Sequence, residues 1–270
     1  MIINKTVLFF CSTLIFLFIS LYVFSKNINI ENEIDYLKFI AMSKYSDVKP
    51  GKFFCPRTKL NTSSNVIALT FDACGGKNGN GYDAELINYL IKENIPATLF
   101  INGRWIKQNK ELFLKLAANS LFEIENHGSA HKPGTTAGQY VYGIRGTLDP
   151  AELVEEVEIN AQEIFRLTGR KPKYFRAGTA WYDETGIKII KNMGYEVANF
   201  SNSGYDFSKK SSKFLISKRL LNSRSGDIVL LHMNHPDWNT YEAIKIAIPS
   251  LRKKGFTFVK LEETGIKNDF

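Results

Sequence analysis

In Leu121-Phe122-Glu123-Ile124-Glu125-Asn126-His127-Gly128-Ser129-Ala130-His131, a short apolar-rich run gives way directly to two imidazoles four positions apart. The run reads as a strand and Gly128-Ser129 as a turn, so the histidines sit at a strand end rather than on a helix. That placement excludes a thermolysin-type site, which needs a glutamate after the first histidine on a regular helix. Two imidazoles at this spacing can converge on one divalent ion, zinc above all, or can be incidental. The chain holds four histidines, and the other two, His232 and His235, follow another apolar run in Leu230-Leu231-His232-Met233-Asn234-His235-Pro236.

The same alternation extends in both directions. Val66 to Phe71 reads as a strand, the glycine-rich Gly75 to Gly81 as a loop, and Leu86, Ile87, Leu90 and Ile91 as the apolar face of a helix that Pro96 follows. Ala97 to Ile101 is a strand, and a helix carrying Leu112 and Leu116 precedes the first histidines. A long polar loop, suited to covering a site, runs from His131 to Gly146. Asp149 as N-cap and Pro150 at the first helical position then open a helix with the face Leu153, Val157, Ala161 and Ile164, closed at Gly169. Tyr174-Phe175, Tyr195 to Phe200, Ile228 to Leu231 and Phe256 to Leu261 read as strands, separated by helices over Glu184 to Met193, Lys213 to Leu221 and Thr240 to Leu251. Strands alternating with helices predict a parallel sheet, and about seven units predict an α/β fold of the distorted (β/α) barrel kind. Asp72, His127, Arg176, Asp206 and His232 each follow directly on a predicted strand, and a barrel gathers strand ends on one face.

Composition bounds the rest. At 270 residues with 44% hydrophobic and 23% charged residues, the chain suits one large globular domain, which excludes general disorder. The net charge of +8 is dispersed, and no basic run interleaved with aromatics or zinc-finger spacing occurs, so no nucleic acid is expected as partner. Val7 to Phe24 is an uncharged apolar stretch of eighteen residues with no small-residue cleavage pattern after it. Residues 1–26 are therefore read as a transmembrane anchor or signal sequence, with the uncleaved single-pass anchor preferred. Residues 27–63 are read as a stalk and lead-in and residues 64–270 as the catalytic domain. Lys5 before the span and Glu31, Glu33 and Asp35 after it place that domain outside the cytoplasmic membrane, periplasmic or extracellular. Cys55 and Cys74 are the thiols beyond this segment: one disulfide in an oxidising compartment, two unrelated thiols, or a Cys74 thiolate near a metal.

Together these strand-end residues resemble the NodB-type polysaccharide deacetylases, carbohydrate esterase family 4, over Val66 to Leu261. Thr70-Phe71-Asp72-Ala73-Cys74 is similar to the family's Thr-Phe-Asp-Asp-Gly, with Ala73 in place of the metal-binding aspartate. His127 and His131 match the histidine motif, and Arg176 the third motif, whose proline is lost. Asp206 matches the fourth motif and Leu230-Leu231-His232 the fifth. The resemblance implies a divalent metal, most simply Zn2+, on His127 and His131, Asp72 as catalytic base held ionised by Arg176, and His232 as general acid backed by Asp206. Trp181 and Tyr182, with Trp238, are candidates for lining a sugar site. The residues also admit plainer readings: Asp72 as a helix cap, Arg176 as a surface ion pair, Asp206 as a loop residue, His235 as a loop histidine.

The expected reaction is removal of N-acetyl groups from amino sugars of a cell-envelope glycan or lipid-linked saccharide. A catalytically silent glycan-binding member and an O-acetyl esterase are the alternatives. Two imidazoles alone make a thin site, so a weakly held ion is expected, and an aspartate restored at position 73 is expected to tighten it.

Overall fold

The structure, a computed structural model, describes residues 31–270. The Val7 to Phe24 segment lies outside the described residues, and among these no helix is long and apolar enough to cross a membrane. One parallel sheet organises the domain, with strands β1 (Val66–Ala73), β2 (Ala97–Ile101), β3 (Phe122–Asn126), β4 (Tyr174–Phe175), β5 (Glu196–Val197), β6 (Asn202–Ser203), β7 (Ile228–His232) and β8 (Thr257–Phe258). The order is β5-β4-β3-β2-β1-β7-β6, and β8 pairs with the start of β1. The helices between strands are α1 (Ala84–Lys92), α2 (Gly103–Gln108), α3 (Lys110–Ala117), α4 (Pro150–Thr168), α5 (Glu184–Asn192), α6 (Lys213–Leu221) and α7 (Thr240–Lys253).

Strand β1 is covered on both faces, which is why it reads as a continuous apolar run. Ile67, Leu69, Phe71 and Ala73 pack in a cluster with Leu86 and Leu90 of α1, Trp105 of α2 and Ile244 of α7. Ala68, on the other face, joins Phe100, Tyr174 and Ala198 inside the curl of the sheet, and the period of two places Thr70 and Asp72 on that side.

The curl does not close by strand pairing, since β5 and β6 are the two ends of the ladder. Lead-in residues bridge this side instead. Thr58 N donates to Phe200 O at 3.3 Å, Leu60 N donates to Gly226 O at 2.9 Å, and Thr58–Leu60 pairs antiparallel with Ile266–Asn268. The lead-in is thus part of the domain rather than a stalk. Phe53–Phe54 pairs with Tyr182–Asp183, and the helical residues 31–45 bury Ala41 and Tyr45 in a cluster with Val154 of α4 and Ile190 of α5.

Helix limits follow the capping residues. Asp83 Oδ1 accepts from Leu86 N at 3.0 Å, Asp149 Oδ1 accepts from Glu152 N at 2.8 Å, and Gly169 closes α4 at φ 72°. Two predicted strands are shorter than their apolar runs. Tyr195 to Phe200 forms a ladder only over Glu196–Val197, with a single bridge from Phe200 to Arg57, and Phe256 to Leu261 only over Thr257–Phe258, after which Leu261–Thr264 turns helical.

Candidate active site

Asp72 lies at the C-terminal end of β1, 4% exposed, and is no helix cap. Its Oδ1 accepts from Arg176 Nη1 at 2.7 Å, and its Oδ2 is 3.6 Å from His127 Nε2. Arg176, just after β4, is fully buried rather than a surface partner. Its Nε donates to Ala198 O at 2.9 Å, Nη1 also to Thr70 Oγ1 at 2.9 Å, and Nη2 to Asn199 O at 2.8 Å. Burial alone would raise the Asp72 carboxyl, but the guanidinium, with His127 and His232 adding to it, holds it below the ordinary carboxylate range.

His127, just after β3, is buried. Its Nδ1 lies 2.8 Å from Arg176 O, which fixes Nδ1 as the protonated nitrogen and leaves the Nε2 lone pair facing Asp72 and Cys74. Burial lowers the His127 pKa, keeping the ring neutral as a ligand must be. The His131 ring stands edge-on to it, centroids 4.8 Å apart. A buried carboxylate shapes the loop between them: Glu156 on α4 accepts from Ser129 Oγ at 3.0 Å, Ala130 N at 2.8 Å and Lys132 N at 3.0 Å. Gly128, at φ 75°, is where this loop passes Glu156, and a Cβ there would stand 2.2 Å from Glu156 Oε1. His131 itself has φ 63°, an uncommon conformation for a residue with a side chain. Its carbonyl oxygen would lie 2.2 Å from any Cβ at position 178, so the third motif needs Gly178 to approach it.

His232 ends β7. Its Nδ1 lies 2.9 Å from Asp206 Oδ1, and its backbone N donates to Asp206 Oδ2 at 2.8 Å, so Asp206 is a built partner rather than a loop residue. Thr240 Oγ1 donates to Asp206 Oδ2 at 2.9 Å. Burial would lower the His232 pKa, but the Asp206 carboxylate overrides it and, with Cys74, carries it well above the ordinary value. His235 stacks on Trp238 at 3.6 Å, and Trp238 stands 5.7 Å from His232.

Two expectations are corrected. Cys55 and Cys74 are free thiols and form no disulfide. Cys55 Sγ accepts from Asn199 Nδ2 at 3.5 Å, whereas Cys74 Sγ is 3.8 Å from His127 Nε2. Burial raises the Cys74 pKa, but His131 and His232 together bring it down to about 6. Tyr182 lines no sugar site: it is fully buried, and its hydroxyl accepts from Ala177 N at 2.7 Å. Trp181 is half-buried against Phe53, ring centroids 5.1 Å apart.

Ala73 is also placed differently from what its motif position suggests. Its methyl is fully buried in the cluster that includes Leu69, Phe71 and Trp105, so an aspartate on this backbone would start from the core side of the strand. The polar loop after His131 is tied to the third-motif segment, where Thr136 N donates to Asp183 Oδ2 at 2.5 Å and Gly134 N to Trp181 O at 2.9 Å. A cavity of about 580 Å³ beside α2 and α4 is lined by Arg104, Lys107, Asn160 and Arg166 but by none of the strand-end residues above.

The donors fit a divalent cation. Cys74 Sγ and one nitrogen each of His127 and His131 lie within 4.8 Å of one another. Sulfur and nitrogen sharing one tetrahedral zinc at about 2.3 and about 2.1 Å stand about 3.5 Å apart. The Nδ1 contact to Arg176 O is the outer partner that a metal-bound imidazole needs.

Comparison with known proteins agrees with this geometry. The polysaccharide deacetylase family model matches residues 59–198, just over half of the chain, and the chain belongs to that family. It is similar to the peptidoglycan-N-acetylmuramic acid deacetylase PdaA of Bacillus subtilis, 27% identical over 209 residues, covering 75% of this chain and 72% of that protein. It is 25% identical over 208 residues to a peptidoglycan-N-acetylglucosamine deacetylase of Bacillus cereus, covering 76% of this chain and 90% of that one. The fold is shared with a family 4 acetyl xylan esterase from Clostridium thermocellum solved with a cobalt ion, at TM-score 0.60 and 23% identity, covering 74% and 89% of the two chains.

Sequence reasoning did not find Glu156 or Thr240. Glu156 had a signal: on α4 it falls three residues after Leu153, at the edge of the apolar stripe, where a charged residue needs a buried partner.

Proposed function

We propose that the protein is a metal-dependent carbohydrate N-deacetylase that acts on N-acetylated amino sugars of a cell-envelope glycan or a lipid-linked saccharide. The observation that carries this reading is the pairing of two opposite proton carriers around one donor cluster. Asp72, held ionised by Arg176, stands on the His127 side, and His232, held protonated by Asp206, is the second carrier. The names of the two relatives, both deacetylases of N-acetylated sugars, support the substrate class.

His127 and His131 would hold the cation, zinc by the chemistry of the donors, and when bound it would polarise the acetyl carbonyl and acidify a water. Arg176 occupies Asp72 Oδ1, so Oδ2 is the oxygen that takes the proton as the hydroxyl joins the acetyl carbon. The C–N bond then breaks, and His232 Nε2 gives the leaving nitrogen its proton while Asp206 retains Nδ1–H. The products are acetate and a free amino sugar. Trp181 and Trp238 are the half-buried aromatics available to contact a sugar ring.

Residues 7–24 are proposed as a single membrane anchor that keeps the domain outside the cytoplasm, near such glycans. Protease accessibility of the domain in intact spheroplasts checks that placement.

Acetate release from N-acetylated oligosaccharides, with O-acetylated xylan as the control for an esterase, tests the reaction. His127→Ala and His131→Ala should each lose the bound metal and the acetate release together. Variants that keep stoichiometric metal would defeat the assignment of these ligands.

A further inference from the structure

We infer that the Cys74 sulfur is the third protein ligand of the cation, completing a two-histidine, one-thiolate site with one open position. This rests on the metal-dependent reading above. Four observations carry it. The sulfur and the imidazole nitrogens already lie within 4.8 Å of one another, and the Sγ to His127 Nε2 separation of 3.8 Å is within a few tenths of what a shared zinc requires. The Nε2 lone pair is free for this purpose because Nδ1 is engaged with Arg176 O. Ala73, where the family motif carries an aspartate, has no ligand atom and lies fully buried in the cluster with Leu69, Phe71 and Trp105. Of the carboxylates close by in sequence, Asp72 gives Oδ1 to Arg176 and keeps Oδ2 for its role as base, and Asp83 Oδ1 caps α1.

The residues around Cys74 hold it in place. Its carbonyl oxygen accepts from Arg104 Nη2 at 3.1 Å, and Gly75 N donates to Gly79 O at 3.0 Å in the turn that follows. The space at Gly75 is set by Trp105, whose N would lie 2.6 Å from a Cβ there. A sulfur ligand has a chemical consequence that a carboxylate lacks. Thiolate favours zinc and cobalt over magnesium and manganese, and it exposes the site to thiol reagents when the metal is absent.

The test uses the full chain, stripped of metal by a chelator and titrated with cobalt(II). Wild type should show a sulfur-to-cobalt charge-transfer band in the near ultraviolet. Cys74→Ala and Cys74→Ser should lack the band and bind cobalt at least about 100-fold more weakly, since even outer partners of ligands are worth 10–100-fold. Cys74→Asp should bind cobalt without the band. Circular dichroism reports whether each variant folds, and a second readout needs only wild type: zinc should protect Cys74 from iodoacetamide, followed by peptide mass mapping.

Stoichiometric cobalt without the band, or alkylation at the same rate with and without zinc, overturns the assignment. An acetyl thioester on Cys74 trapped during turnover would also overturn it, because the sulfur would then be a nucleophile. The two readings fail separately. Acetate release without the band removes the ligand and leaves the deacetylase, whereas the band without acetate release does the reverse.

Discussion

Replacing Arg176 by methionine keeps an unbranched stem of similar reach and removes the charge, so its cost measures what the guanidinium does for Asp72. Arg176 is fully buried, donates four hydrogen bonds and lies 3.9 Å over the ring of Phe100. Removing one partner of a buried ion pair costs about 3–5 kcal/mol, because the remaining charge is left uncompensated. The carbonyls of Ala198 and Asn199 also lose a donor, at roughly 1 kcal/mol or more each. A total of about 5–7 kcal/mol is a large share of the roughly 5–15 kcal/mol that holds a domain folded.

The double variant Arg176→Met with Asp72→Asn removes the stranded charge and should recover about 2 kcal/mol relative to Arg176→Met alone, a coupling that independent sites do not show. The assay is urea unfolding followed by tryptophan fluorescence between about pH 4 and about pH 7. In wild type the Asp72 carboxyl titrates below its unfolded value, so its contribution is present above the ordinary carboxylate range and fades only as pH falls through the lowered value. In Arg176→Met the same carboxyl stays buried without its guanidinium, and burial should carry it above its unfolded value, so stability should fall as pH rises. The gap between the two proteins should therefore widen toward neutral pH. A gap independent of pH, or a double variant no more stable than the single one, would refute the claim that the arginine acts on Asp72 through charge.

Three further outcomes are expected. Asp206→Asn removes the main cause of the raised His232 pKa, so the basic limb of the activity profile should move to lower pH, and an unchanged profile would deny His232 the acid role. Glu156→Ala strips Ala130 N and Lys132 N of their acceptor, and zinc titration should show about 10–100-fold weaker binding while Asp206→Asn binds nearly normally. Ala73→Asp should lower stability by about 3 kcal/mol or more without tightening zinc, because it buries a carboxylate among Leu69, Phe71 and Trp105; tighter zinc would show that this side chain can turn toward the histidines.

The architecture was legible where an element had a pattern of its own. Val66 to Ala73 and Ile228 to His232 are long enough to show buried runs, and Asp149, Pro150 and Gly169 bracket α4 with residues that have few other uses. A strand of two residues such as Asn202–Ser203 is defined by the neighbour it pairs with, and a sequence does not display its neighbours. The same limit explains Tyr182: its position beside Trp181 suggested a sugar contact, but the hydroxyl finds its donor in Ala177 N and the ring packs edge-on to Phe175. An even number of soluble thiols likewise says nothing about distance, and Cys55 sits with Asn199 while Cys74 faces His127.

The strand period ties the remaining pieces together. Along β1 successive side chains alternate, so Asp72 opens toward the inside of the curl and Ala73 toward the helices. Continuing that period by one position returns Cys74 to the side of Asp72, and the 3.8 Å approach to His127 Nε2 shows that the chain has not yet turned away there. A ligand atom is therefore available at 74, on the side of Asp72, although Ala73 supplies none. The glycines that follow belong to the same solution, because the chain must turn at once to bring Gly79 O back to Gly75 N beneath Trp105. Base and sulfur thus come from one strand end, two positions apart, with His127 Nε2 within 3.6 Å of the first and 3.8 Å of the second. This spacing lets Arg176 hold Asp72 as a free base while the sulfur takes the place of a metal-binding carboxylate, so that neither group is asked to serve both purposes.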